Sequence, residues 1–225
     1  MAQEGNNTRT AYLWASHPDD GNVRTRLTIT QTQAQNTTNA TFATTNATTL
    51  SYMTTGPCIL HGEQILMADG TSKNVQDIVV GDQVKAISID GLGLEEDSWR
   101  TWFTHGDEFN ESNATTEITT VTVGQWDIYY ELMYNTGGEA KSLQVTGEHP
   151  VLSKRNNQVA FTAVGELLVT DEVYYFPTNT WVELTQIDRI EDNTLPTYSL
   201  GAEDADNYVA GGIIVHNVEE LEKFQ

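Results

Sequence analysis

Apolar and polar residues alternate along most of the chain after position 58, and this alternation predicts β-strands. Ile65 and Met67 alternate with polar neighbours and lead into Asp69-Gly70, a dipeptide typical of hairpin turns. Two short helical pieces are predicted at 75–78 and 162–167. Many short strands with closely spaced turns favour an all-β, closed architecture. The other predicted strands, rich in β-branched and aromatic residues, lie at 84–89, 119–123, 128–133, 173–176, 181–190 and 213–215.

The first 57 residues have a different composition, rich in Thr, Asn, Ala and Gln. A strand-like alternation at 24–30 and an apolar anchor at Tyr12-Leu13-Trp14 are their main structural signals. Residues 31–49 hold too little apolar surface for a core, so we expect an extended arm that is mobile or lies on a partner. The predicted organisation is an N-terminal arm at 1–57, a compact domain at 58–217 and a short acidic tail at 218–225.

An acidic segment at 94–112 lies between the predicted strands and contains Trp99, Trp102 and Phe103. These aromatic residues are expected either to cover an edge of the core or to contact a partner.

The formal net charge is −21, from 32 acidic and 11 basic side chains in 225 residues. Because phosphate contacts need clustered Lys and Arg, this balance argues against nucleic acid and anionic membranes as partners. No apolar run reaches transmembrane length, and the first residues lack a secretory signal, so we expect a soluble protein made in a cytoplasm. A single cysteine excludes an internal disulfide and a cysteine-based zinc site, and no cofactor is expected.

Four local features stand in an order that is informative only when they are taken together. They are Cys58 within 56–70, Thr146 and His149 after a strand-like run, the apolar run 207–215, and His216-Asn217 directly after it. Taken singly, each has an ordinary structural interpretation: a lone cysteine is usually a small buried hydrophobe, and Asn is common where a strand turns.

Together these features resemble the Hint superfamily, which comprises inteins, bacterial intein-like domains and hedgehog autoprocessing domains. Cys58 with Gly62, Ile65 and Asp69-Gly70 is similar to the first sequence block of the family. Thr146 and His149 are similar to its Thr-x-x-His block, and 207–217 is similar to its closing blocks. The resemblance covers 58–217, leaves no space for a homing endonuclease, and implies an all-β horseshoe-shaped Hint fold joined to the N-terminal arm.

The resemblance also implies an autocatalytic chemistry. The thiol of Cys58 would attack the carbonyl of Pro57, with His149 protonating the departing nitrogen and Thr146 helping to hold the oxyanion. Asn217 would cyclise onto its own carbonyl with help from His216, which breaks the bond to the next residue.

Four positions depart from the family pattern. Val218 has no nucleophile to receive an acyl group, so splicing is excluded. Ser199 stands where many inteins carry Asp, and Asp206 stands where they carry His, so we expect slow or absent C-terminal cleavage. The carbonyl of Pro57 is conformationally fixed and shielded by an n→π* contact, so thioester formation should be poor.

Several functions remain open at this point. We expect a bacteriophage virion component, assembled with other subunits through its arm in a bacterial cytoplasm, that carries a non-splicing and at most slowly self-cleaving Hint module. The alternative is an active autoprocessing domain that cleaves at Cys58 through a thioester and after Asn217 through a succinimide. A metal site built from His61, His105 and Asp107-Glu108 is a weaker third interpretation, and sterol transfer has no support because nothing after Asn217 resembles a sterol-recognition region.

Overall fold

The computed structural model describes residues 8–16, 24–32, 58–92, 98–203 and 205–217. The chain divides into two compact units, Met1–Leu50 and Ser51–Gln225. In the first unit, strands β1 (Thr8–Ser16) and β2 (Arg24–Thr32) pair antiparallel over nine residues each. The strand predicted at 24–30 is therefore confirmed, and the predicted anchor lies on β1. The rest of the predicted arm, at 1–7, 17–23 and 33–57, and the predicted tail lie outside the described residues.

The described part of the second unit contains fifteen strands, one short helix and three 3-10 turns, so the all-β prediction is confirmed. The 3-10 turns are Val75–Asp77, Val164–Glu166 and Phe176–Thr178. The predicted helical piece at 162–167 is shortened because Thr162 and Ala163 pair with β11. The remaining elements are β3 (Ile59–Leu60), β4 (Gln64–Leu66), β5 (Ser72–Asn74), β6 (Gln83–Ile89), α1 (Ser98–Thr101), β7 (Phe103–His105), β8 (Glu111–Gln125), β9 (Ile128–Thr136), β10 (Glu139–Val145), β11 (Pro150–Arg155), β12 (Gln158–Ala163), β13 (Glu172–Tyr175), β14 (Thr180–Glu191), β15 (Pro196–Ala202), β16 (Asn207–Ala210) and β17 (Ile213–His216).

The strands of this unit form a path that returns to its start. They are hydrogen-bonded in the order β5-β4-β16-β17-β11-β13-β14-β9-β10-β3-β15-β8-β6, with β12 paired to β11 and β7. A β-bridge between Met67 and Val84 joins the residue after β4 to β6, so the two ends meet. The side chain of Asn207 adds hydrogen bonds of 2.9 and 2.8 Å to the backbone N–H and carbonyl of Ile87 on β6. The predicted closed architecture follows from these contacts.

The hairpin of β16 and β17 lies between two hydrophobic cores. Its residues alternate between them: Tyr208, Ala210, Ile213 and Val215 pack into the larger core, and Val209 and Ile214 into the smaller. Because successive side chains of a strand point to opposite faces, a strand buried on both faces has a continuous apolar sequence. The same alternation places His216 on the face of Ile214, beside the aromatic side chains of the smaller core.

Two segments of the second unit repeat one local structure. Residues 75–86 and 164–175 each begin with a 3-10 turn and continue into a strand. In each segment an aspartate, Asp82 or Asp171, accepts a hydrogen bond of 2.8 Å from the backbone N–H three residues before it. The fold therefore contains an internal repeat, and in both copies an aspartate side chain accepts the hydrogen bond of a backbone N–H in the turn.

The acidic segment predicted at 94–112 contains α1, β7 and the first residues of β8, and residues 93–97 lie outside the described part. Trp99 is buried in the smaller core, and Trp102 packs against Phe161 with ring centroids 6.3 Å apart. Phe103 is 60% exposed. Trp99 and Trp102 therefore cover an edge of the smaller core, as expected, whereas Phe103 does not.

Candidate active site

Cys58 and Thr146 are joined by two hydrogen bonds. The backbone N–H of Cys58 donates to Oγ1 of Thr146 at 3.0 Å, and the backbone N–H of Thr146 donates to the carbonyl of Cys58 at 2.9 Å. Both residues are buried. Cys58 directly precedes β3, and Thr146 directly follows β10, which pairs with β3. The hydroxyl therefore contacts the nitrogen of the peptide bond that precedes Cys58.

A tight turn carries the chain from Thr146 to His149. The backbone N–H of His149 donates to the carbonyl of Thr146 at 3.1 Å, and its carbonyl accepts from Val164 at 3.0 Å. A Cβ atom on Gly147 would lie 2.9 Å from the ring of Tyr130, so only glycine fits there without displacing that ring. The turn thus holds His149 in a fixed position relative to Thr146.

The imidazole of His149 is 1% exposed, and neither ring nitrogen makes a well-formed hydrogen bond with the described residues, although the ring lies near the backbone of Cys58. Burial, together with the charge of a protonated His216, lowers its pKa from 6.5 to about 3, although the backbone of Cys58 opposes this shift. The ring is therefore neutral at neutral pH. Buried polar side chains without partners are uncommon, and this one has donor and acceptor capacity available for a reacting group.

At the other end of the domain, Asn217 is held by three polar contacts. Its backbone N–H donates to the carbonyl of Asp206 at 2.8 Å, and its side-chain Nδ2 donates to the carbonyl of Ala202 at 2.5 Å. Its own carbonyl contacts Nδ1 of His216 within hydrogen-bonding distance. With the proton on Nδ1, the imidazole donates to this oxygen and polarises the carbonyl.

His216 lies between two aromatic rings. The ring centroid of Phe161 is 4.8 Å away in an edge-on arrangement, and that of Trp99 is 5.2 Å away at an interplanar angle of 37°. Burial lowers the pKa of His216 from 6.5 to about 4; the contact with the Asn217 carbonyl opposes this and the charge of Arg100 adds to it. His216 is therefore also neutral at neutral pH.

The strand register brings the two halves of the site together. Val151 of β11 is paired antiparallel with Val215 of β17. Because the pairing is antiparallel, two residues before Val151 and two residues after Val215 are level with each other, which places His149 beside Asn217. His149 and His216 also interact electrostatically. Residues from three separate sequence blocks thus meet in one buried region.

Two of the departures predicted from sequence can be located. Ser199 is buried on β15 with Thr122 of β8 as its Cα partner. Asp206 adopts a left-handed backbone with φ of 50°, and its carbonyl accepts the N–H of Asn217. Asp206 therefore contributes its backbone to the site. Pro57 and Val218 lie outside the described residues.

The structure does not assemble the predicted metal site. Among the described residues, no three His, Cys, Asp or Glu side chains are placed to share a metal ion. His61 contacts the hydroxyl of Tyr198 at 3.5 Å, whereas His105 ends β7 beside Gln158 of β12. Within the same part of the chain, no helix has the length and apolar character needed to cross a membrane.

Comparisons with known proteins identify the architecture. No family model and no curated protein matches the chain. Among solved structures, the bacterial intein-like domain from Clostridium thermocellum is 20% identical, covers 71% of this chain and 98% of that one, and has a TM-score of 0.52. The DnaB intein from Synechocystis sp. PCC 6803 is 15% identical over 72% of this chain and 98% of its own, with a TM-score of 0.52. The TvoVMA intein is 15% identical with the same coverages and a TM-score of 0.54. The chain has the Hint fold.

Within this Hint domain, the structure brings together all five residues that the sequence singled out, namely Cys58, Thr146, His149, His216 and Asn217. Sequence reasoning did not identify the aromatic neighbours of His216. The available signal was strand alternation, which assigns His216 to the face of Ile214, but it did not reveal which distant side chains cover that face.

Proposed function

We propose that this chain is a non-splicing autoprocessing protein that cleaves its own backbone after Asn217. The observation that carries this proposal is the contact between Nδ1 of His216 and the carbonyl oxygen of Asn217. A donor at that oxygen stabilises the negative charge that develops when the carbonyl carbon is attacked, and its effect is larger in a buried site. The 5.2 and 4.8 Å ring contacts that hold the imidazole support the same role.

In the proposed reaction, Nδ2 of Asn217 attacks the carbonyl carbon of its own residue. The new carbon–nitrogen bond closes a succinimide, and the bond to Val218 breaks. Nδ2 loses one proton and the nitrogen of Val218 gains one, relayed by the neutral imidazole of His216, so the cyclisation consumes no water. The hydrogen bond from Nδ2 to Ala202 orients the side-chain amide before attack.

Three residues limit this chemistry. Val218 carries no hydroxyl or thiol, so no acyl group is transferred and the cleaved ends stay separate. Ser199 cannot act as the carboxylate found there in many inteins. Asp206 supplies its carbonyl but has no imidazole to protonate a leaving group. Slow cleavage is the expected consequence.

We also propose a weaker activity at the other end of the domain. The thiol of Cys58 attacks the carbonyl of Pro57, which forms a thioester and breaks the Pro57–Cys58 peptide bond. The thiol proton passes to the departing nitrogen through His149, and the position of this buried ring near the backbone of Cys58 supports the role. The contact of that nitrogen with Thr146 at 3.0 Å holds it within the site. The shielded carbonyl of Pro57 slows the attack.

Intact-mass measurement over time tests the proposal. Wild-type protein is expected to lose the eight residues after Asn217, and Asn217→Ala is expected to stay whole at that end. Asn113→Ala, which changes an exposed asparagine on β8, is the matched control and should cleave like the wild type. A thiol nucleophile should release a second fragment before Cys58, which Cys58→Ala prevents. Wild type and Asn217→Ala that both remain intact would contradict the proposal.

We further propose, as a second candidate function, that the chain is a subunit of a protein assembly, with a bacteriophage virion formed in the host cytoplasm as the expected case. The hairpin of β1 and β2 supports this role, because a two-stranded hairpin alone is at most marginally stable and gains from contact with other protein surface. Protease should cut within 8–49 in the isolated protein and not in its assembly. Equal cutting in both states would count against it.

A further inference from the structure

The short helix α1 brings side chains to the C-terminal half of the site that the cleavage chemistry does not itself require. Trp99 is 7% exposed and contacts His216 with ring centroids 5.2 Å apart, while Arg100 lies over the same indole, with its guanidinium carbon 4.5 Å from the ring centroid. Phe161 of β12 contacts His216 with its edge and is also buried. The imidazole is thus enclosed between residues of α1 and β12.

An enclosed imidazole has fewer orientations available to it. A free histidine side chain rotates about two torsions, and most of those orientations move Nδ1 away from the carbonyl of Asn217. Two rings packed against the buried imidazole remove these alternatives before the reaction begins. Preorganisation of this kind lowers a barrier without contact to the reacting atoms.

We propose that Trp99 and Phe161 are positioning residues for cleavage after Asn217, because they hold the imidazole of His216 with Nδ1 against the carbonyl oxygen. This inference rests on the proposed function. It assigns the acidic segment that carries α1 a role in the reaction, in addition to its cover over the smaller core. The charged and titratable groups that act on His216 are Arg100 from α1 and His149 from the turn before β11.

The test compares Trp99→Ala with Trp102→Ala. Trp102 lies in the same segment and packs on Phe161 with centroids 6.3 Å apart, so it controls for general loss of aromatic packing. Cleavage after Asn217 in the folded Trp99→Ala protein is expected to slow by roughly 10- to 100-fold. Trp102→Ala, which removes a contact to Phe161 and not one to His216, should slow cleavage much less, and Trp99→Phe, which restores a ring, should recover most of the loss.

An NMR titration of the His216 ring gives a readout that does not depend on cleavage. Removing Trp99 exposes the imidazole to water, so the His216 pKa should move up towards 6.5 and its ring signals should broaden, whereas Trp102→Ala should change both much less. A wild type that never cleaves, together with these NMR changes, would reject the proposed function but would still show that Trp99 positions the His216 ring. Identical titrations and rates in Trp99→Ala and wild type would overturn the inference.

Discussion

The backbone N–H of Cys58 donates a 3.0 Å hydrogen bond to the hydroxyl of Thr146, and this contact ties the predicted nucleophile to the turn that carries His149. The return bond from Thr146 to the carbonyl of Cys58, at 2.9 Å, makes the pairing reciprocal. Both residues are buried, so neither bond is replaced by water at low cost.

Thr146→Val removes this acceptor while keeping the shape of the side chain. The Cys58 N–H then loses the Thr146 hydroxyl as its acceptor, so the free energy of unfolding should fall by about 1–3 kcal/mol in urea denaturation. Thiol-induced cleavage before Cys58 should also slow. Thr146→Ser keeps the hydroxyl and serves as the control. Equal stability of the valine and serine variants would show that the bond contributes little.

Gly212 closes the β16–β17 hairpin with φ of 88°, and a Cβ there would lie 2.5 Å from the ring of Tyr175. Gly138 in the β9–β10 turn has φ of 98° and nothing within 4 Å of the same position. Both alanine variants carry the backbone strain of about 1–2 kcal/mol. Gly212→Ala should cost about 1–3 kcal/mol more, because Tyr175 must move. Denaturation midpoints of the two variants measure this difference, and equal midpoints would contradict it.

His149 should make folding pH-dependent. Its pKa is about 3 in the folded chain and near 6.5 when exposed, so the unfolded state binds the extra proton first. Its contribution to stability is present above pH 6.5 and lost as the pH falls towards 3. The stability difference between wild type and His149→Gln should therefore shrink by roughly 2 kcal/mol between about pH 7.5 and about pH 5. A stability difference between wild type and His149→Gln that is the same at both pH values would contradict this assignment of His149.

Glu63 has the opposite pH dependence. Burial and, to a smaller extent, the charge of Glu131 raise its pKa from 4.5 to about 7, although a hydrogen bond of 3.0 Å from the N–H of Gln144 opposes this. Its contribution is present below pH 4.5 and lost as the pH rises through about 7. Glu63→Gln should therefore raise the free energy of unfolding by about 1–2 kcal/mol near pH 8 and have little effect near pH 5. Glu131→Gln should give a smaller gain. An equal effect of Glu63→Gln on the free energy of unfolding at both pH values would refute the raised pKa of Glu63.

The local parts of the fold were accessible from the sequence, whereas contacts between distant segments were not. The apolar residues at 213–215 predict a strand, and Asp69-Gly70 predicts a turn. The repeat at 75–86 and 164–175 also has a sequence signal, since Val, Asp and Val recur at matching positions. The contact of Trp99 with His216 depends on how the acidic segment crosses the sheet, which no local pattern encodes. The residue type at position 206 likewise does not reveal that the backbone carbonyl of Asp206 accepts the N–H of Asn217.

Tandem mass spectrometry of the new C-terminus tests the central claim most directly. Cyclisation predicts that the released chain first ends at Asn217 as a succinimide, which is lighter by one water than the hydrolysed terminus, and that Asn217→Ala yields no such species. A terminus at residue 217 that carries a free carboxylate from the earliest time point, or cleavage that persists in Asn217→Ala, would contradict the account.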